Sequence, residues 1–177
     1  MDSGIDAEQA ALLVRVTARI SAAILAADLL VAARRIADAA SRGPRLRTID
    51  VATFVTFLVS HTIHFLCVGL LTIATAGENI RVRFGPIAVI ASGLLFYLVC
   101  VAVLRVKRRP TAEWTSAGER RVEAFSMMAL WIAFFQAYAS RLLQSWFFVA
   151  LAAVLLYSVA RFVGVALRSG NHAMRFP

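Results

Sequence analysis

Charge is scarce in this chain. Asp, Glu, Lys and Arg make up 16% of its 177 residues, against about a quarter in a water-soluble domain. Hydrophobic residues reach 60% and mean hydropathy is +0.76, which excludes a soluble globular domain and places the chain in a bilayer. Five spans of about 20 to 25 residues use roughly 100 to 125 positions, leaving loops and short tails and no length for a flavin or nicotinamide domain. Cysteine is limited to Cys67 and Cys100. Both fall inside apolar runs, which excludes a loop-based disulfide framework and predicts free thiols. Proline occurs four times and never interrupts an apolar run. With no inverted repeat either, the broken-helix architecture of secondary transporters is disfavoured. The amino-terminal stretch carries Asp2, Asp6 and Glu8 in place of basic residues, and no small-residue cleavage site follows, so no signal peptide is expected. Lysine appears once against eighteen arginines; with the abundance of alanine, this usage points to a GC-rich bacterial source and so to the bacterial inner membrane.

What is present is a set of apolar runs at 10–33, 49–76, 86–104, 122–140 and 144–166. Each is long enough to cross about 30 Å of hydrocarbon at 1.5 Å per residue. The expected fold is all-α: a single domain over 1–177, a multi-pass integral membrane bundle of five transmembrane helices. Gly43-Pro44, Gly77, Gly85-Pro86 and Pro110 punctuate the ends. Fourteen basic residues fall on one side, in the first and third loops and the carboxyl-terminal end, against Arg15, Arg19, Arg81, Arg83 and Arg141 on the other. Cytoplasmic loops are enriched in Lys and Arg, so the amino terminus is expected outside and the carboxyl terminus in the cytoplasm. The net charge of +9 is thus read as a topology signal and not as a nucleic-acid footprint. Trp146 is placed as an outer aromatic anchor and Trp114 as an inner one.

Ionisable groups at membrane depth are costly and face the bundle interior. His61 and His64, three residues apart, project from one side of the second helix, roughly 18 and 22 Å from its cytoplasmic end at 1.5 Å per residue. Neutral imidazole is a good iron or zinc ligand, so ligation is one reading and interhelical hydrogen bonding is the other. The HxxH spacing lacks the glutamate of an HExxH metallopeptidase. Thr53, Thr56, Ser60, His64, Cys67 and Thr75 form a polar or small stripe expected to look into protein, with Val55, Leu58, Val59, Phe65 and Leu66 toward lipid. Ser92, Gln136, Ser21 and Arg19 lie at a depth from which they could bond the imidazoles or a ligand. Asp28 and Arg161 are expected to form a charge pair that stabilises the bundle. Gly69, Gly93 and the alanines of the first and last helices are read as sites of close helix approach.

Ser60-His61-Thr62-Ile63-His64-Phe65 on the second helix, with Trp131, Phe134, Phe135, Gln136, Tyr138 and Arg141 on the fourth, resembles the ferric reductase-like transmembrane haem proteins. The order of elements over residues 10–165 is also similar. The resemblance implies b-type haem, transmembrane electron transfer, and His61 and His64 as haem-iron ligands with Ser92, Gln136 and Tyr138 around the group. The family's histidine on the facing helix has no counterpart, because that stretch reads Arg120-Arg121-Val122-Glu123-Ala124. A membrane redox protein of this size would take electrons from a quinone or a partner redox subunit, and two protomers of a homo-oligomer could each donate a histidine. The other readings are a cofactor-free membrane interaction or assembly subunit, and a small transporter using His61, His64 and Asp28.

Overall fold

The structure is a computed structural model that describes residues 6–37, 44–75, 86–109, 117–139 and 145–173. Its described residues are all-helical, in the order α1 (Ala7–Ala37), α2 (Pro44–Ala74), α3 (Pro86–Arg108), α4 (Ala117–Ala139) and α5 (Trp146–Ala173). Three of these are long and apolar enough to cross a membrane: Ala7–Ala37, Arg45–Ala74 and Trp146–Val165. The apolar core of α4, Glu123–Gln136, is shorter. Pro44 and Pro86 each open a helix, where a missing N–H costs nothing and the fixed φ already suits the first turn.

The helices outrun the apolar runs that announce them. α1 runs on past residue 33 to Ala37, α3 past 104 to Arg108, and α2 and α4 begin five residues before their runs do. A helix needs only its backbone hydrogen bonds to continue, so the hydropathy boundary is not the helix boundary. The extra turns carry Arg35, Lys107 and the approach to Asp50 and Glu123, and those positions build the candidate site.

Cross-helix contacts show that neighbours in the chain run antiparallel. Thr17 meets His64, Ser21 meets Ser60 and Arg35 meets Asp50 between α1 and α2. Thr62 meets Tyr97 while Asp50 meets Lys107 between α2 and α3, and between α4 and α5 Trp131 Nε1 donates to the Leu155 carbonyl while Tyr138 packs on Phe148. The end of α1, the start of α2, the end of α3 and the start of α4 therefore share one end of the bundle. α1 is the inner helix, packed on α2, α5 and α4. Its buried face reads Ser21, Leu25, Asp28, Ala32, Arg35, in steps of four and three that follow the 3.6-residue period.

The core joins Leu25, Leu29, Phe54, Phe57, Cys100, Val103, Met127, Leu130 and Phe162. A second cluster holds Ala22, Ala26, Tyr138, Phe148 and Leu155. Close approach falls to the alanines of α1, since Ala22 and Ala32 are fully buried. The glycines do not share that role: a methyl added at Gly69 or Gly93 would meet nothing within 4 Å. Large apolar side chains such as Leu66, Ile73, Leu94, Leu95 and Phe125 are well exposed; such outward faces suit contact with lipid, where a soluble surface would not carry them. Cys67 and Cys100 are buried free thiols.

Candidate functional site

Five buried charged side chains from four helices meet at the shared end. Asp28 and Arg35 come from α1, two turns apart on one face; Asp50 comes from the second turn of α2, Lys107 from the last turn of α3 and Glu123 from the second turn of α4. Asp50 is the bridge. Its Oδ1 lies 2.6 Å from Lys107 Nζ and its Oδ2 lies 2.9 Å from Arg35 Nε. Lys107 Nζ also reaches both oxygens of Asp28, at 3.1 and 3.2 Å, and lies 5.2 Å from the centre of the Phe54 ring. Arg35 Nη2 donates to both oxygens of Glu123, at 2.5 and 2.7 Å. The side chains of Asp28, Asp50 and Lys107 are wholly shielded, and those of Arg35 and Glu123 nearly so.

Desolvating each of these ions costs several kcal/mol, which only close, multiply hydrogen-bonded geometry returns. The cluster gives each cation two carboxylates and places one carboxylate between two cations: Lys107 hydrogen-bonds both Asp28 and Asp50, whereas Arg35 hydrogen-bonds Glu123 and meets Asp50 Oδ2 as an ion pair. Three carboxylates face two cations. Asp28 is the member set farthest from the helix ends, and its contact is with Lys107 alone among the described ion pairs.

This arrangement replaces the expected Asp28–Arg161 pair. Arg161 stays exposed on α5, because the long α3 helix brings Lys107 to Asp28 first. Sequence reasoning assigned Arg35 and Lys107 to a basic cytoplasmic loop and passed over Asp50. A usable signal was there. Arg35, Asp50, Lys107 and Glu123 each sit within two turns of a helix end and the signs nearly balance, while Asp28 and Arg35 are seven residues apart on one stripe.

The histidines lie toward the other end of the bundle, beyond Leu25, Phe54 and Phe57. Their rings are 5.4 Å apart, yet they address different neighbours. His64 Nδ1 lies 3.1 Å from Thr17 Oγ1 on α1. That hydroxyl also donates to the Leu13 carbonyl at 2.7 Å, so the imidazole is tied through Thr17 to the α1 backbone. His61 points toward α3 and α4. It is stacked on Phe57 at 5.7 Å and enclosed by Phe96 at 4.4 Å, Phe65 at 4.7 Å and Phe134 at 5.0 Å. His61 Nδ1 is buried with no hydrogen-bond partner.

The other expected site residues disperse. Ser21 bonds Ser60 Oγ at 2.9 Å and not an imidazole, and Arg19 lies over the Phe147 ring at 4.5 Å. Tyr138 is buried in the cluster with Ala22, Ala26 and Phe148, on the α1–α5 side, and Gln136 is exposed. The side chain of Ser92 lies outside the described residues, as do Trp114 and Arg141. On α2, Cys67 is buried and Thr53, Ser60, His64 and Thr75 are half-buried, but Thr56 is exposed and Phe65 packs inward on His61, so the expected stripe is met in part.

Axial histidines of one haem approach the iron from opposite faces of the macrocycle. Two imidazoles one turn apart on a single helix cannot do so, and the groups facing His61 from α3 and α4 are phenyl rings. Glu123, at the position nearest the missing facing histidine, is held by Arg35. The donor set therefore does not fit a haem ligated by two histidines of one chain. Among the described residues, no three His, Cys, Asp or Glu side chains gather as a metal site. No family model, curated protein or solved structure matches the chain.

Proposed function

We propose that the chain is a five-span bundle of the bacterial cell membrane, amino terminus outside and carboxyl terminus in the cytoplasm, acting as an interaction or assembly subunit. The observation that carries this reading is the closed charge cluster. Asp28, the acid set deepest among the ion pairs, is turned with Asp50 and Glu123 upon Arg35 and Lys107, and such a cluster would fix the mutual register of four helices, the best-attested use of buried polar groups. Function then falls to the outward surfaces. The test is proton flux into proteoliposomes carrying a pH gradient. Flux no greater than in protein-free vesicles is expected; flux that Asp28→Asn removes would instead make Asp28 a transport residue and overturn the reading.

A membrane redox role is the second reading, and the partnerless Nδ1 of buried His61 favours it. His61 would hold b-type haem alone or with a histidine of a second protomer, and His64, tied to Thr17, would orient the helix face. The bound haem would supply one-electron chemistry, with a quinone or partner subunit as donor. Absorption spectra of detergent-purified protein, oxidised and dithionite-reduced after expression with ample haem, decide it. A Soret band that shifts on reduction and disappears in His61→Ala establishes the redox role; a featureless spectrum of folded protein removes it.

A further inference from the structure

Arg34 and Arg35 are adjacent in sequence and opposite in fate. Arg35 turns inward and is consumed by Asp50 and Glu123. Arg34 turns outward, into a groove of about 290 Å³ between α1 and α5 that it shares with Arg161 and Tyr157. The groove's remaining wall is apolar, with Leu30 and Val31 of α1 and Val165 of α5. Among the described residues no carboxylate pairs with either arginine. Two guanidiniums with no carboxylate partner among the described residues therefore open onto one apolar groove, with a phenol that is 60% exposed beside them.

We infer that this groove binds the headgroup of an anionic phospholipid, with its phosphodiester between Arg34 and Arg161 and its acyl chains along the apolar α1–α5 surface. The inference rests on the membrane-spanning reading above. Guanidinium is the side chain that meets phosphate through paired N–H donors, and basic pockets between helices at the cytoplasmic face are where anionic headgroups bind. Tyr157 fits the same level: a ring in the apolar layer and a hydroxyl at the headgroup. The volume is near the lower bound of small-molecule pockets, roughly 300 Å³, room for a headgroup but not for a whole lipid. Phosphatidylcholine carries the same phosphodiester but adds a quaternary ammonium, which two guanidiniums repel, so the site distinguishes lipids by net charge. The α2–α3 groove, with Arg47 and Arg108 over Val51 and Val55, has a similar build, so the test counts lipids and does not score binding as all or none.

Full-length protein in mild detergent is incubated with dioleoylphosphatidylglycerol or dioleoylphosphatidylcholine, and retained lipids are counted by native mass spectrometry. The expected result is several-fold preference for the glycerol lipid and one fewer retained molecule in Arg34→Gln/Arg161→Gln, whose buried ion cluster is untouched. Arg15→Gln/Arg45→Gln removes the same charge elsewhere and should leave the count unchanged. An equal count in the groove variant, equal retention of the two lipids, or an equal loss in the control pair each overturns the site. Displacement of the lipid by excess inorganic phosphate also overturns it, assigning the groove to free anions. Membranes washed with alkaline carbonate separate the two levels of failure. A chain released by the wash refutes the membrane-spanning reading itself, whereas a retained chain with no lipid preference refutes the groove alone.

Discussion

The two polar regions of the bundle solve the same problem in opposite ways. At the charged end, ions from four helices are gathered so tightly that each cation touches two carboxylates. At the histidine end, polar side chains of the described residues meet in pairs, Thr17 with His64, Ser21 with Ser60 and Thr62 with Tyr97, and His61 is wrapped in phenyl rings. An ion taken out of water must be compensated by several partners. A neutral hydroxyl or imidazole can be tolerated with one partner, or with none at the cost of its desolvation. The charged end is accordingly cooperative and the histidine end is modular.

That contrast ranks the effects of substitution. Lys107→Met should be the most damaging, because it strips Asp28 of its cation and Asp50 of one of two; breaking a buried pair from one side costs about 3–5 kcal/mol. Recovery of much of that loss in the double variant with Asp28→Asn, measured as unfolding midpoints in detergent, is the expected sign of cooperativity, and strict additivity would break the comparison. Next is Phe57→Ala, which empties the fully buried ring that separates the two regions, at a cost of about 3 kcal/mol. Ser21→Ala removes one interhelical hydrogen bond, for which about 0.6 kcal/mol is usual in a membrane bundle; a loss comparable with that of Lys107→Met would mean the histidine end is not modular. Smallest of all is His61→Phe. It replaces an imidazole lacking a partner at Nδ1 by another ring among phenyl rings, and an unfolding midpoint unchanged or slightly raised is expected.

Much of the architecture was legible early. Runs of apolar residues bounded by Pro and Gly announced helices, because a backbone in lipid must satisfy its own hydrogen bonds. Placing Arg34, Arg35, Arg45, Arg47 and Lys107 on one side agrees with the bundle end at which their helices meet. The candidate site was less legible. His61 and His64 drew attention as rare residues at depth, yet the structure turns one to Thr17 and the other to phenyl rings. Of the residues that do converge, Arg35 and Lys107 were read as loop charges, because hydropathy falls before the helix ends and so hides the extra turns that carry them inward; Asp28 was paired with Arg161, and Asp50 was passed over.

The sequence by itself determined that this chain is helical and apolar enough for lipid, that its cysteines stay unpaired, and that its basic residues collect at alternate helix ends. Composition and one-dimensional spacing suffice for those, since each depends on local backbone chemistry or on solvent preference. Only the tertiary structure decided which charges are spent. Arg34 and Arg35 are indistinguishable by composition and differ by a turn of about 100° around the α1 axis. That rotation sends one to Asp50 and Glu123 and the other to the groove with Arg161. Pairings such as Asp50 with Lys107 and Arg35 with Glu123, 57 and 88 residues apart in the chain, depend on which helices pack together, and helix packing is a property of complementary faces in three dimensions.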